Sequence, residues 1–142
     1  MTIDETFQSA IDHYQAGHLQ QAERICIEIL KIQPDNAEVL HLLGVIFYQL
    51  ENYDFSMKCI RESLSLNPSN AEAYYNLGNI FKDRNQLDEA ITCYQNALRI
   101  DPTIPHIHIN LGYILREKKL FKEVFGEGSI DDIFNRLYES IG

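Results

Sequence analysis

Gly44, Gly78 and Gly112 stand 34 residues apart, and Pro34, Pro68 and Pro102 keep the same interval (78 − 44 = 34; 68 − 34 = 34). A fixed period of this length marks a chain built from copies of one supersecondary unit, each burying its apolar face on the next. The text around the glycines repeats as well: AEVLHLLGVIF, AEAYYNLGNIF and PHIHINLGYIL. YDFSMKCIRESLSLNP and LDEAITCYQNALRIDP follow the first two. At the same spacing, IDETFQSAIDHYQAGHLQQAERICIEILKIQP is a first copy, with Ala10 in the Gly place and Ala22 matching Ser56 and Ala90. Within a single domain of residues 1–142, the units read as 3–36, 37–70 and 71–104, with an incomplete fourth at 105–128.

Each unit reads as two helices. At about 100° per residue, Leu40, Leu43, Gly44 and Phe47 fall on one arc, as do Tyr74, Leu77, Gly78 and Phe81; this arc is core. Gly costs about 1 kcal/mol and Asn about 0.5 kcal/mol against Ala inside a helix, so AYYNLGN carries three poor helix formers. A glycine on the core arc has a packing reason: the partner helix's backbone comes closer, opposite the small Ala22, Ser56 or Ala90. The prolines stop each second helix, Asn36 and Asn70 read as N-caps of the next first helix, and turns fall near Gly17, Asn52 and Asn85. The expected helices run at about 4–16, 19–32, 37–50, 53–66, 71–84, 87–100 and 105–118. A fourth second helix should run on from Phe121 but meets Gly126 and Gly128. SIDDIFNRLYESIG, 129–142, reads as a separate helix, with Ser129 as N-cap, Asp131 and Asp132 in the first turn and one apolar face. It is expected to cap the last unit; docking on a partner or on a second copy of the chain is the alternative.

These residues resemble the tetratricopeptide repeat family: Leu-Gly in the first helix, a large residue three later, a small one in the second, and Pro closing the unit. The resemblance covers about residues 3–125. It implies an all-α fold, a right-handed superhelical solenoid of antiparallel helix pairs with about three and a half repeats and a C-terminal capping helix. It also implies that one exposed stripe of each first helix lines a concave groove where protein partners bind. On that stripe lie His41 and Tyr48, then Tyr75, Asn76, Asn79 and Lys82, then Asn110, Tyr113 and Arg116. A side-chain amide offers a donor and an acceptor, the complement of a peptide unit, and tyrosines add amphipathic contact surface. Asn76 and Asn110, one repeat apart, are similar to the asparagine ladder in the repeat domain of O-linked N-acetylglucosamine transferases, which grips extended peptides; Leu42 and Gln8 break that ladder in the earlier units. The alternative for the Asn side chains is that they solvate the wall or brace neighbouring helices. The family's two-carboxylate clamp for chaperone C-termini finds only Asn76 in place, although Lys82 and Arg116 suit an isolated acidic side chain.

Other function classes find little support. Twelve Lys and Arg against 21 Asp and Glu give a net charge of −9, which opposes nucleic acid and anionic membranes. No apolar run is long enough to insert in a membrane, and MTIDETFQSA is no signal segment, so the expected location is cytoplasmic. His106 and His108 point about 200° apart on a helix, so no metal site is expected. His13 matches Phe47 and Phe81 and reads as a partly buried core residue, and Cys26, Cys59 and Cys93 as helix-packing thiols. No phosphate loop, GxSxG or HExxH occurs, so neither catalysis nor a cofactor is expected. The chain reads as an adaptor for an extended peptide or a partner's helix; the alternatives are the substrate-recruiting arm of a larger enzyme such as a glycosyltransferase, and a scaffold that self-associates, with the C-terminal helix as a route to homo-oligomers.

Overall fold

The structure, a computed structural model, describes residues 1–125 and Glu139. Asn36 Oδ1 accepts from the Val39 amide at 3.1 Å, and Asn70 Oδ1 from the Ala73 amide at 3.1 Å, so both expected caps form. Thr2 and Asn52 cap in the same way. Each cap satisfies an amide that a helix start leaves without a carbonyl partner. The described residues hold seven α-helices and no strand: α1 (Ile3–Gln15), α2 (Leu19–Ile32), α3 (Ala37–Gln49), α4 (Tyr53–Leu66), α5 (Ala71–Asp83), α6 (Leu87–Ile100) and α7 (Pro105–Phe125). The fold is all-α, and its first six helices match the repeat-derived boundaries to within a residue. The chain divides into two compact units, Met1–Ala73 and the part from Tyr74 on, with the boundary inside α5.

In the first unit, α3 and α4 run antiparallel through matched pairs. A Cβ added at Gly44 would lie 2.5 Å from Ile60 Cγ1 and 3.2 Å from the Ser56 carbonyl oxygen, so glycine lets the two helices close. The buried Ser56 hydroxyl donates to the Gly44 carbonyl at 2.5 Å, and Ser63 to the Ala37 carbonyl at 2.7 Å, removing the penalty of burying two hydroxyls. Ala10, Ala22, Cys26, Ile29, Val39, Leu43 and Ile46 form one core beside these contacts. Burial pushes the Cys26 thiol up to about 12 and the Cys59 thiol to about 11, so both stay protonated and pack as small apolar groups.

In the second unit the glycine is filled differently. A Cβ at Gly78 would sit 2.7 Å and 2.8 Å from two ring carbons of Tyr94, which is fully buried. Position 94 is the repeat equivalent of Ile60 (94 − 60 = 34) and of Cys26 (60 − 26 = 34). The partner at this position therefore differs between repeats: Gly44 faces Ile60 and Gly78 faces Tyr94, while Cys26 joins Ala10 in the first core cluster. Room for the Ile60 side chain, with the Ser56 carbonyl close beside it, accounts for Gly44; room for an aromatic ring accounts for Gly78.

Two expectations need correction. The left-handed turn residue of the second repeat is Glu51, at φ 60°, not Asn52, whose side chain instead caps α4. Gly17, Glu51 and Asn85 hold the three turns, each followed by an amide bonded five residues back: His18 to His13, Asn52 to Phe47, Gln86 to Phe81. The repeat geometry sets the turn position, and packing overrides the preference of Glu against positive φ. The fourth repeat lacks this turn: α7 does not end near 118 but continues through Lys119, the equivalent of Asn85, to Phe125. Among the described residues nothing comes within 4 Å of a Cβ at Gly112, in contrast to Gly44 and Gly78. The good helix formers of REKKLFKEV then decide the conformation. The expected capping helix, 129–142, lies outside the described residues.

Candidate functional site

The stripe-bearing faces of α1 and α3 meet in a cleft of about 350 Å³. Phe7, Ile11 and Tyr14 line it from α1, and Glu38, His41, Leu42 and Val45 from α3; Asn70 joins them from the segment before α5. Successive turns of each helix bring the residues to one side, as the spacing requires. Three of its polar groups, Tyr14, His41 and Asn70, already have partners. Asn70 uses Oδ1 as a cap while its Nδ2 lies 3.4 Å from His41 Nδ1, and Gln49 Nε2 donates to the Tyr14 hydroxyl at 2.7 Å. Burial lowers the His41 pKa, favouring the neutral ring.

The second unit gathers a different set. Asn110 Nδ2 donates to the Tyr75 hydroxyl at 3.1 Å, and the Tyr75 ring meets His106 edge-on, with centroids 4.6 Å apart. The Tyr94 hydroxyl donates to Asn79 Oδ1 at 2.5 Å. Asn79 and Asn110 are thus each engaged by a neighbouring helix, and Asn76 is half-buried and also engaged within the chain. Lys82 is half-buried; Tyr113 and Arg116 are exposed. A hydrogen bond from the Tyr113 hydroxyl to Glu117 raises its pKa. His41 lies in the first unit's cleft, and the half-buried Tyr48 packs against Tyr53 at 5.7 Å between centroids.

His13, His18 and His108 make contacts near turns and helix ends. His13 is half-buried and lies 3.3 Å, Nδ1 to Nδ1, from His18; a ring N–H of His108 donates to the Pro102 carbonyl at 2.7 Å. Among the described residues no three His, Cys, Asp or Glu side chains are placed to share a metal ion, and no helix is long and apolar enough to cross a membrane. The helix spacing that defines the stripe also takes in Phe7, Ile11, Leu42 and Val45, of which only Leu42 is singled out from the sequence, as a break in the Asn ladder. The signal for Ile11, Leu42 and Val45 was an apolar residue where a later repeat has Asn. Asn70 was read only as a cap, because its reach to His41 depends on how the helices approach.

Comparison with known proteins follows the same lines. A family model described as "TPR repeat" matches residues 44–83 and 78–118, together more than half of the chain. No curated protein sequence matches. Among solved structures, an O-GlcNAc transferase mutant from Thermobaculum terrenum is similar at 33% identity over 80% of this chain, with a TM-score of 0.76. The chain spans 22% of that protein's length. MamA from Desulfovibrio magneticus RS-1 is similar at 22% identity, with 97% of this chain and 75% of that one covered and a TM-score of 0.76. The first TPR of Spaghetti (RPAP3), bound to the HSP90 peptide SRMEEVD, is similar at 16% identity, with 81% and 91% covered and a TM-score of 0.77. The last two likenesses concern the fold.

Proposed function

This chain belongs to the tetratricopeptide repeat family, and on that premise we propose that it is a non-catalytic protein-interaction module that holds an extended segment of a partner on the stripe of its first helices. The observation that carries this reading is the apolar-walled cleft between α1 and α3, rimmed by Glu38, His41 and Asn70. An anchoring side chain enters such a space and loses water, while the rim meets the flanking main chain. Tyr48, Tyr75, Asn76, Asn79, Lys82, Asn110, Tyr113 and Arg116 are proposed as further contacts. Asn110 has one amide hydrogen committed to Tyr75, so its part is main-chain recognition from an already oriented amide. Asn79 has its Oδ1 committed to the Tyr94 hydroxyl, so its part falls to its amide N–H groups.

Selection of random peptides on the full chain tests the proposal. Enriched peptides should lose binding to Val45→Arg, and to the milder Leu42→Gln, while both variants keep their thermal midpoints. Enriched peptides that bind both variants as well as the parent would place binding elsewhere.

A second reading, a substrate-recruiting arm of a larger glycosyltransferase, is favoured by the 33% identity with the O-GlcNAc transferase of which this chain spans 22%. On this reading the selected peptides carry Ser or Thr acceptor positions at a constant distance from their anchor. Their absence would speak for an adaptor.

A further inference from the structure

We infer that the α1–α3 cleft is selective for extended peptides that carry an aliphatic side chain flanked by Lys or Arg, an inference that rests on the binding reading above. Charge sorts by helix in the first unit. Residues 1–73 contain 4 Lys and Arg and 11 Asp and Glu, a net charge of −7 (4 − 11). All four cations, Arg24, Lys31, Lys58 and Arg61, belong to α2 and α4. The two helices that wall the cleft carry Asp4, Glu5, Asp12 and Glu38 and no Lys or Arg. Glu38 is exposed and lines the cleft itself, within reach of a residue next to a bound anchor. His41 adds no positive charge near neutral pH, because burial favours its neutral form.

The walls supply the other half of the specificity. Ile11, Leu42 and Val45 are half-buried without a ligand, and an entering aliphatic group completes their removal from water. Tyr14, the residue of the wall with a hydroxyl, already accepts from Gln49, so its oxygen keeps a hydrogen-bond partner when an apolar anchor enters. An acidic peptide would be repelled by the carboxylates of both helices and would find no cation on either to receive it.

Three fluorescein-labelled probes decide the point by anisotropy on the full chain: Gly-Lys-Lys-Leu-Lys-Lys-Gly, the same peptide with Glu for Lys, and the same with Ala for Leu. The first should bind about tenfold tighter than either other probe and should weaken severalfold between about 50 and about 300 mM salt. Glu38→Lys should weaken it at least as much as that salt change while leaving the thermal midpoint near the parent's. Val45→Arg should do the same through the wall. Equal binding of the Ala probe, tighter binding of the Glu probe, indifference to Glu38→Lys, or no binding of any probe each overturns the inference. The groove reading is judged separately: it survives those results if library-selected peptides still depend on Val45 and Leu42, and fails if they do not.

Discussion

At the scale of single residues, the glycines make the sharpest claims, because three at one repeat position have three different surroundings. Gly78→Ala would drive a methyl group into the Tyr94 ring, which is buried and tethered by its hydroxyl to Asn79. Overpacking of this kind should lower stability by about 1–3 kcal/mol, with Gly78→Leu worse, in urea unfolding. Gly112→Ala should instead stabilise by up to about 1 kcal/mol, since its Cβ meets nothing within 4 Å among the described residues. A loss at Gly112 matching that at Gly78 would show that a further segment packs there. His41 gives a pH prediction. Its folded pKa is lowered from 6.5, so the unfolded chain takes up a proton first as pH falls. Stability is therefore full above 6.5 and declines as pH falls from there towards the folded value, and His41→Gln should flatten that part of the unfolding-versus-pH curve. An unchanged curve would contradict the assignment. The sequence located the glycines but not their partners, since Ile60 and Tyr94 share a position and little chemistry.

At the scale of elements, the ends of helices divide into those the local sequence sets and those packing sets. Asn36 and Asn70 cap as their residue type requires, and Pro105 opens α7 where its missing N–H does no harm. Glu51 and Lys119 fall at equivalent turn positions (119 − 51 = 2 × 34), yet one is left-handed and the other helical. Neither residue type announces this difference; it follows from α4 packing on α3 through Gly44 and Ser56, with no like contact at Gly112 among the described residues. Opposite effects should result from one substitution. Glu51→Gly should stabilise by about 1 kcal/mol by relieving positive φ, and Lys119→Gly should destabilise by about 1 kcal/mol inside a helix, both read from urea midpoints. Equal signs would mean that the two sites share a conformation.

At the scale of the molecule, the 34-residue period carried the helix pairs and the core arcs, because hydrophobic spacing constrains both directly. The candidate site was legible only in outline. The stripe positions follow from helix geometry, but the Asn79–Tyr94 and Asn110–Tyr75 hydrogen bonds depend on how closely neighbouring helices approach, which residue type does not encode. For the same reason the first unit's cleft emerged only once α1 and α3 stood side by side. Its occupation by a partner segment is the central claim, and amide chemical-shift mapping with a library-selected peptide tests it most directly. Saturable shifts should concentrate at Phe7, Ile11, Tyr14, His41, Leu42 and Val45; shifts confined to α2 and α4, with these six unmoved, would contradict the account.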